Sequence, residues 1–417
     1  MTLDNKPNDE YTPEELNPDQ YDLVEVVEDD DTPLDEGKRR FLLLLQLGLL
    51  GAIILVGFFL ISYIFNPRPI SEVLPVNVLG NNCYAPTYKF SIDGLEKPIG
   101  VAVSPDSQRI YIAEAGGERM IKMFDRDGNF AFQFAPIATT KSSRDPLYMA
   151  TAPDGRLFAV DRYSNSINVY DADGNFIDAI IAANMTITKY LSTNGVASLE
   201  GLVLLRYDSA NHKIYYQMGE TAQEPMDVIL DNVNQFTPMG VRFNETGDLL
   251  YTDASPGKHG FVIVDHTALV DLKTYAPEFK FAGKFGNAAG ELAFPQTVVQ
   301  DSAGNYYVAD GNNSRISAFD TTMAYKTFFA FGSTEGALNL PRGMWVDPRD
   351  CLLVADALGA NIMAYDLSSE EPSFAYKIGG LGSDIGNLYY PNDIVMDGTG
   401  RLYIADRANN RVQIWSY

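Results

Sequence analysis

A chain of 417 residues, 46% of them hydrophobic, is long enough for two or three ordinary domains or one large β-domain. Its formal net charge of −24 argues against a nucleic-acid partner, whose phosphates would be repelled. Two cysteines, Cys83 and Cys351, are too few for a disulfide scaffold or a zinc cluster.

Residues 1–40 hold fourteen acids and four bases, with little to bury. They are expected to be a disordered acidic tail. The stretch "YDLVEVV" offers Leu23, Val24, Val26 and Val27 as a docking strip for a cytoplasmic partner; the plainer reading is a solvated leader. Residues 41–65, "FLLLLQLGLLGAIILVGFFLISYIF", carry no charge. As a helix they reach about 37 Å, enough to cross a hydrocarbon core about 30 Å thick. A cleaved signal peptide would have a shorter leader and a small-residue cleavage site, and neither is present. The basic cluster Lys38–Arg39–Arg40 directly precedes the span. It predicts a single-pass protein of the cell membrane, with a cytoplasmic N-terminus and everything after the span outside. Residues 66–86 contain four prolines and read as an extended stalk.

Repeats fill residues 87–417. Units open at Pro98, Pro146, Pro238, Pro295, Pro341 and Pro391. A weaker copy, "TNGVASLEGLVLLRYDSANHKIYYQ", starts at Thr193 and fills the long gap before Pro238. Each unit reads as a short apolar strand, an Asp/Gly turn, a β-rich strand such as "LYIAD", a polar turn and an alternating strand. Segments such as "EFKFAG", "KTFFAF" and, in the weak unit, "PMDVIL" supply a fourth strand. Four antiparallel strands repeated in this way make an all-β propeller. Counting the weak copy gives seven blades; six follow if residues 183–237 are an insertion. The last unit has three strands. "TYKFSID", Thr87–Asp93, belongs to no other unit and is expected to complete it, covering an otherwise open sheet edge.

The motifs "DRANNRV" (Asp406–Val412), "DGNNSRI" (Asp310–Ile316) and "NHKI" (Asn211–Ile214), with starts such as "PIGVAV", resemble the NHL repeat. The resemblance covers roughly residues 87–417 and implies a propeller, often six-bladed. It implies little about function. Some NHL relatives are zinc-dependent lyases with channel histidines, and the innermost strands here carry none.

An acid ends the second strand of six units: Glu114, Asp161, Asp253, Asp310, Asp356 and Asp406, with Arg206 in the weak unit. Recurrence once per blade points to a structural role in the blade's own turn rather than to a metal. The three histidines, His212, His259 and His266, are a poor zinc or general-base set. The glycine-rich stretches "FGNAAGELAFP", "FGSTEGALNLP" and "IGGLGSDIGNLYYP" lack the Gly-Lys-Ser/Thr ending of a phosphate loop and read as joints between blades. No cofactor is expected.

The residues after each leading position are Ile99, Leu147, Asn194, Met239, Gln296, Arg342 and Asn392, apolar on one side and polar on the other. Arg342, Gln296, Asn392 and Asp393, with Tyr148, are the candidate ligand contacts; a water-lined rim is the bland alternative. The favoured function is an extracytoplasmic binding or scaffold module with a protein or glycan on the propeller face. The alternative is a lyase or hydrolase with its site in the channel. Cys351 opens a second strand, and Cys83 lies just before the closing strand. In an antiparallel blade the second and fourth strands start on one face. The two cysteines therefore form a candidate disulfide across the closing seam, the alternative being two free thiols.

Overall fold

The computed structural model describes residues 44–46, 48–51, 57, 83–230 and 235–417. The chain divides into two compact units, residues 1–66 and 67–417. In the first, residues 44–46, 48–51 and 57 are helical, and Leu44, Leu45, Leu49 and Leu50 are exposed. Among the described residues no helix is long and apolar enough to cross a membrane. The expected tail, most of the expected span and the stalk up to residue 82 lie outside the described residues.

Among its described residues the second unit contains seven antiparallel sheets. In five of the ring blades, strands follow chain order from the centre outward; in the remaining one the outermost strand comes from the start of the ring. The innermost strands are Pro98–Val103, Pro146–Thr151, Pro238–Phe243, Pro295–Gln300, Pro341–Val346 and Pro391–Met396, numbered here as blades 1 to 6. Each packs beside the next, and the sixth packs beside the first. Six apolar seams follow from this. Met149 and Tyr111 meet between blades 1 and 2, and Phe158 and Tyr251 between blades 2 and 3. Phe261 belongs to the third seam, Met344 to the fourth, Leu402 to the fifth and Val101 to the last. A blade is apolar on both faces because alternate residues of each strand enter opposite seams.

The ring therefore has six blades, and the seventh sheet is a correction to the count of seven. Leu202–Asp208 and Lys213–Met218 pair outside the ring, with Thr221–Ala222 and Met226–Asp227 as short partners. They pack with helix α1, Ile187–Thr193, on the outer strand of blade 2, Phe176–Ala182. Thr193 ends that helix and Asn194 caps it, so Asn194 is not at the channel mouth. Of "PMDVIL" only Met226–Asp227 is strand.

The third residue of each innermost strand shows why the ring closes at an even number. Around the ring these residues are Gly100, Tyr148, Gly240, Thr297, Gly343 and Asp393. Small and large alternate, which fills a narrow axis without collision. A Cβ on Gly100 would lie 2.1 Å from the Leu147 carbonyl oxygen, and one on Gly240 would lie 1.9 Å from that of Gln296. Such alternation closes on itself only with an even blade count.

The outer strand of blade 6 is Thr87–Ile92, antiparallel to Arg411–Ser416, with Thr87 opposite Ser416 and Ile92 opposite Val412. Just before it, Cys83 is disulfide-bonded to Cys351, the Cα atoms 5.7 Å apart. Arg349 lies over the rings of Tyr84 and Tyr417, at 4.3 Å and 3.8 Å. Both chain ends of the ring are thus held to the turn that opens the second strand of blade 5.

Candidate functional site

The innermost strands all begin on one face, called upper here. The joints between blades lie on the same face. The lower face carries the turns between first and second strands and the entry of the chain at Cys83.

The acids ending the second strands tie down the upper face from within. Glu114 accepts from the Glu96 backbone N–H at 2.7 Å, Asp310 from Ala293 at 2.7 Å, and Asp406 from Tyr389 at 2.7 Å. Each donor lies just before a leading proline, which has no N–H of its own. In blades 4 and 6 the acid also holds an arginine, Asp310 to Arg315 and Asp406 to Arg411, each at 2.8 Å. Arg315 then donates to the carbonyls of Asn287, Ala288 and Glu291, and Arg411 to those of Ser383, Asp384 and Asn387. The acid column and the Asn-x-Arg turn therefore shape the glycine-rich joints. Asp161 and Asp253 accept in the same way from Asp145 and Thr237. Burial pushes the Asp161 carboxyl up to about 6 against these backbone donors.

The axis is filled by an ion pair that sequence reasoning half found. Asp393 is fully buried and pairs with Arg242 of blade 3, which is also buried. Arg242 donates to the carbonyls of Val241 at 2.9 Å, Met149 at 3.3 Å, Met344 at 3.3 Å and Ile394 at 3.4 Å. It thus touches four of the six blades. Asp393 also accepts from the Val101 N–H of blade 1 at 3.0 Å. Burial raises the Asp393 carboxyl, and Arg242 opposes that rise. Arg242 had a signal: it is the one charged residue at its place in an otherwise apolar first-strand pattern. This pair closes the axis, so Asp393 belongs to the core rather than to an open mouth.

Above this plug, the other candidates do come together, in two sets. Asn392 donates to the Ile99 carbonyl at 2.9 Å and to the Tyr148 hydroxyl at 3.2 Å, and both residues are buried. Burial holds the Tyr148 phenol well above its usual range. Arg342 donates to Gln296 Oε1 at 2.6 Å and to the Tyr390 hydroxyl at 3.3 Å. Its Nε is buried with no hydrogen-bond partner. Arg407 sits 5.5 Å over the Tyr390 ring. Arg342 and Arg407 are half-buried and reach solvent; Gln296, Asn392, Tyr148 and Asp393 are largely engaged inside.

On the same face, the joints carry an arc of exposed apolar side chains that the sequence reading passed over. Phe285, Phe331 and Leu381 occupy the same place in three consecutive joints, each followed by glycine. All are more than half exposed, while the joint leucines Leu292, Leu338 and Leu388 are buried anchors. Leu358, Ile385 and Tyr389 extend the arc. The signal was available: the joints repeat one apolar residue beyond those needed to anchor them.

No histidine lies on an innermost strand. His259 is buried against Phe285 and Phe294 and accepts from the Phe294 N–H. His266 is exposed on the lower face beside Asp248. His212 lies in a hairpin turn of the outer sheet. A cavity of about 200 Å³ opens on the lower face, lined by Trp345, Gln300, Asp397 and Arg242 among others.

Residues 292–319 and 388–415, blades 4 and 6 with their incoming joints, match the NHL repeat. The fold is similar to that of virginiamycin B lyase from Staphylococcus aureus, at 13% identity and a TM-score of 0.49, over 79% of this chain and 98% of that one. It is similar also to Kuenenia stuttgartiensis hydrazine synthase, at 13% identity and a TM-score of 0.48, over 82% of this chain and 99% of that one. No curated protein matches the chain. The molecule is a β-propeller carrying NHL repeats.

Proposed function

We propose that this chain is a single-pass membrane protein whose propeller, outside the membrane, binds a partner protein on its upper face. The arc formed by Phe285, Phe331, Leu381, Leu358 and Ile385 carries the reading. Exposed apolar side chains that recur by position in successive joints of one face mark an interaction surface. Their aliphatic content suits a polypeptide better than a glycan. The lower face, where the chain enters at Cys83, is rich in acids at its turns, and the arc lies on the opposite face. The uncharged segment 41–65 after Lys38–Arg40 supports the anchor and its orientation. The Cys83–Cys351 bond supports an oxidising compartment for the ring.

The test uses the full chain in gently solubilised membranes. The pair Phe331→Ser and Leu381→Ser changes only exposed side chains, so folding is expected to survive. Wild type should migrate as a larger assembly and the pair as the lone chain. Asp127→Ser, on the lower face, should leave the assembly intact. Mixing two differently tagged copies separates a heterologous partner from a second copy of this chain. An assembly unchanged by the upper-face pair would defeat the proposal.

A further inference from the structure

We infer that Arg342 and Arg407, on either side of Tyr390, form a site for a carboxylate carried by the partner polypeptide. This rests on the upper-face reading above and adds the chemistry of what is recognised there.

The first observation is charge without a counter-charge. Arg242, Arg315, Arg349 and Arg411 each hold a carboxylate of this chain. Arg342 and Arg407 form no ion pair among the described residues, in a chain whose net charge is −24. Acids are therefore plentiful, yet none is placed against these two groups. Asp406 is adjacent to Arg407 in sequence, but its oxygens face Tyr389, Asn409, Arg411 and Gln413.

The second observation is the state of Arg342 itself. Its two terminal nitrogens are met only by neutral oxygens, those of Gln296 and Tyr390, and its Nε has no partner although buried. A buried unsatisfied donor is unfavourable and is uncommon in a finished structure. A planar guanidinium is suited to bidentate contact with a carboxylate. Tyr390 bridges the two cations, its hydroxyl accepting from Arg342 and its ring facing Arg407. One anionic group above Tyr390 would neutralise both.

The third observation is the setting. Tyr390 belongs to the joint that exposes Leu381, Ile385 and Tyr389. A ligand covering this joint meets apolar side chains and two cations together. A polypeptide segment with an Asp or Glu next to Leu, Phe or Tyr has that composition.

The experiment is a selection of random displayed short peptides on the full chain in micelles. Selected peptides are then synthesised, and their affinities are measured for wild type, for Arg342→Gln with Arg407→Gln, and for Phe331→Ser with Leu381→Ser. The expected result is enrichment of Asp or Glu beside apolar residues. The arginine pair should weaken binding by roughly tenfold or more, at an unchanged melting temperature, and wild-type binding should weaken with salt. Peptides without acidic enrichment, lost in the Phe331/Leu381 pair but unaffected in the arginine pair, would overturn the carboxylate site and leave the docking face standing. No peptide captured above the Phe331/Leu381 background would overturn both. A uronic-acid oligosaccharide that binds the arginines where acidic peptides do not would overturn the assignment to a polypeptide.

Discussion

Replacing Arg242 with Met removes the cation at the centre of the ring and leaves Asp393 buried without its counter-charge. Asp393 is fully buried, and its remaining partners are the backbone N–H groups of Val101 and Ile394. Breaking such a pair from one side is expected to destabilise by about 3–5 kcal/mol. Asp393→Asn should give a loss of the same order, because Arg242 then faces only the carbonyls of Val241, Met149, Met344 and Ile394. The double variant removes both charges, and the Asn carbonyl still accepts from Val101. It should be no less stable than the worse single variant, giving a coupling energy of about 2 kcal/mol or more. The assay is urea unfolding followed by tryptophan fluorescence. Both tryptophans, Trp345 and Trp415, lie in the blades flanking the fifth seam. Additive losses, or a loss below about 1 kcal/mol in either single variant, would refute the pair as the plug of a six-bladed ring.

Other outcomes follow from the same geometry. Removing both cysteines, Cys83→Ala with Cys351→Ala, should lower ring stability by about 2–5 kcal/mol, and the wild-type protein treated with reductant should match the variant in unfolding; equal stability with and without the bond would count against the seam. Ile92 is buried in the closing strand, so Ile92→Ala should destabilise by about 2–4 kcal/mol in thermal or urea melts, and an effect typical of a surface site would contradict closure by Thr87–Ile92. Burial raises the Asp178 carboxyl from 3.8 to about 6, and one of its oxygens has no partner. The raised folded-state value means its contribution is present at low pH and lost as pH rises through about 6. Relative to Asp178→Asn, wild type should therefore lose up to roughly 3 kcal/mol between pH 4 and 7; a flat difference across that range would rule the effect out.

Much of the ring was readable because each blade repeats its own local chemistry. A leading proline, an Asp/Gly turn and an alternating strand carry the same meaning wherever they occur. The acid column was legible for the same reason: a residue recurring once per blade answers a need that recurs once per blade, here the N–H groups just before each proline. The count of seven failed because "NHKI" and its flanking strands form a real hairpin, and a hairpin looks the same inside or outside a ring. Membership is decided by contact between blades, which local pattern does not encode. The acid column did not tell them apart: the strand Leu202–Asp208 ends on Asp208, which accepts from Asn211 as Asp406 does from Asn409, so the weak unit carries the acid too and Arg206 lies two residues short of that place. One feature did speak to it: the alternation Gly100, Tyr148, Gly240, Thr297, Gly343, Asp393 is complete without that unit. The candidate site was legible only in part. Position after the leading proline located Arg342, Gln296, Asn392 and Tyr148 near one mouth. It could not show that Asn392 and Tyr148 satisfy each other, that Asp393 turns inward to Arg242, or that Arg407 arrives from a turn of the next blade.

The claim that the upper face is the binding surface is tested most directly by site-specific photocrosslinking in intact membranes. A photoreactive residue is placed in the full chain at Phe331 or Leu381, and for comparison at Asp127 or Asp173 on the lower face. A discrete crosslinked species is expected from both upper-face positions, reduced by Arg342→Gln with Arg407→Gln, and none from the lower face. The same species from the lower-face positions, or no species from Phe331 and Leu381, would contradict it.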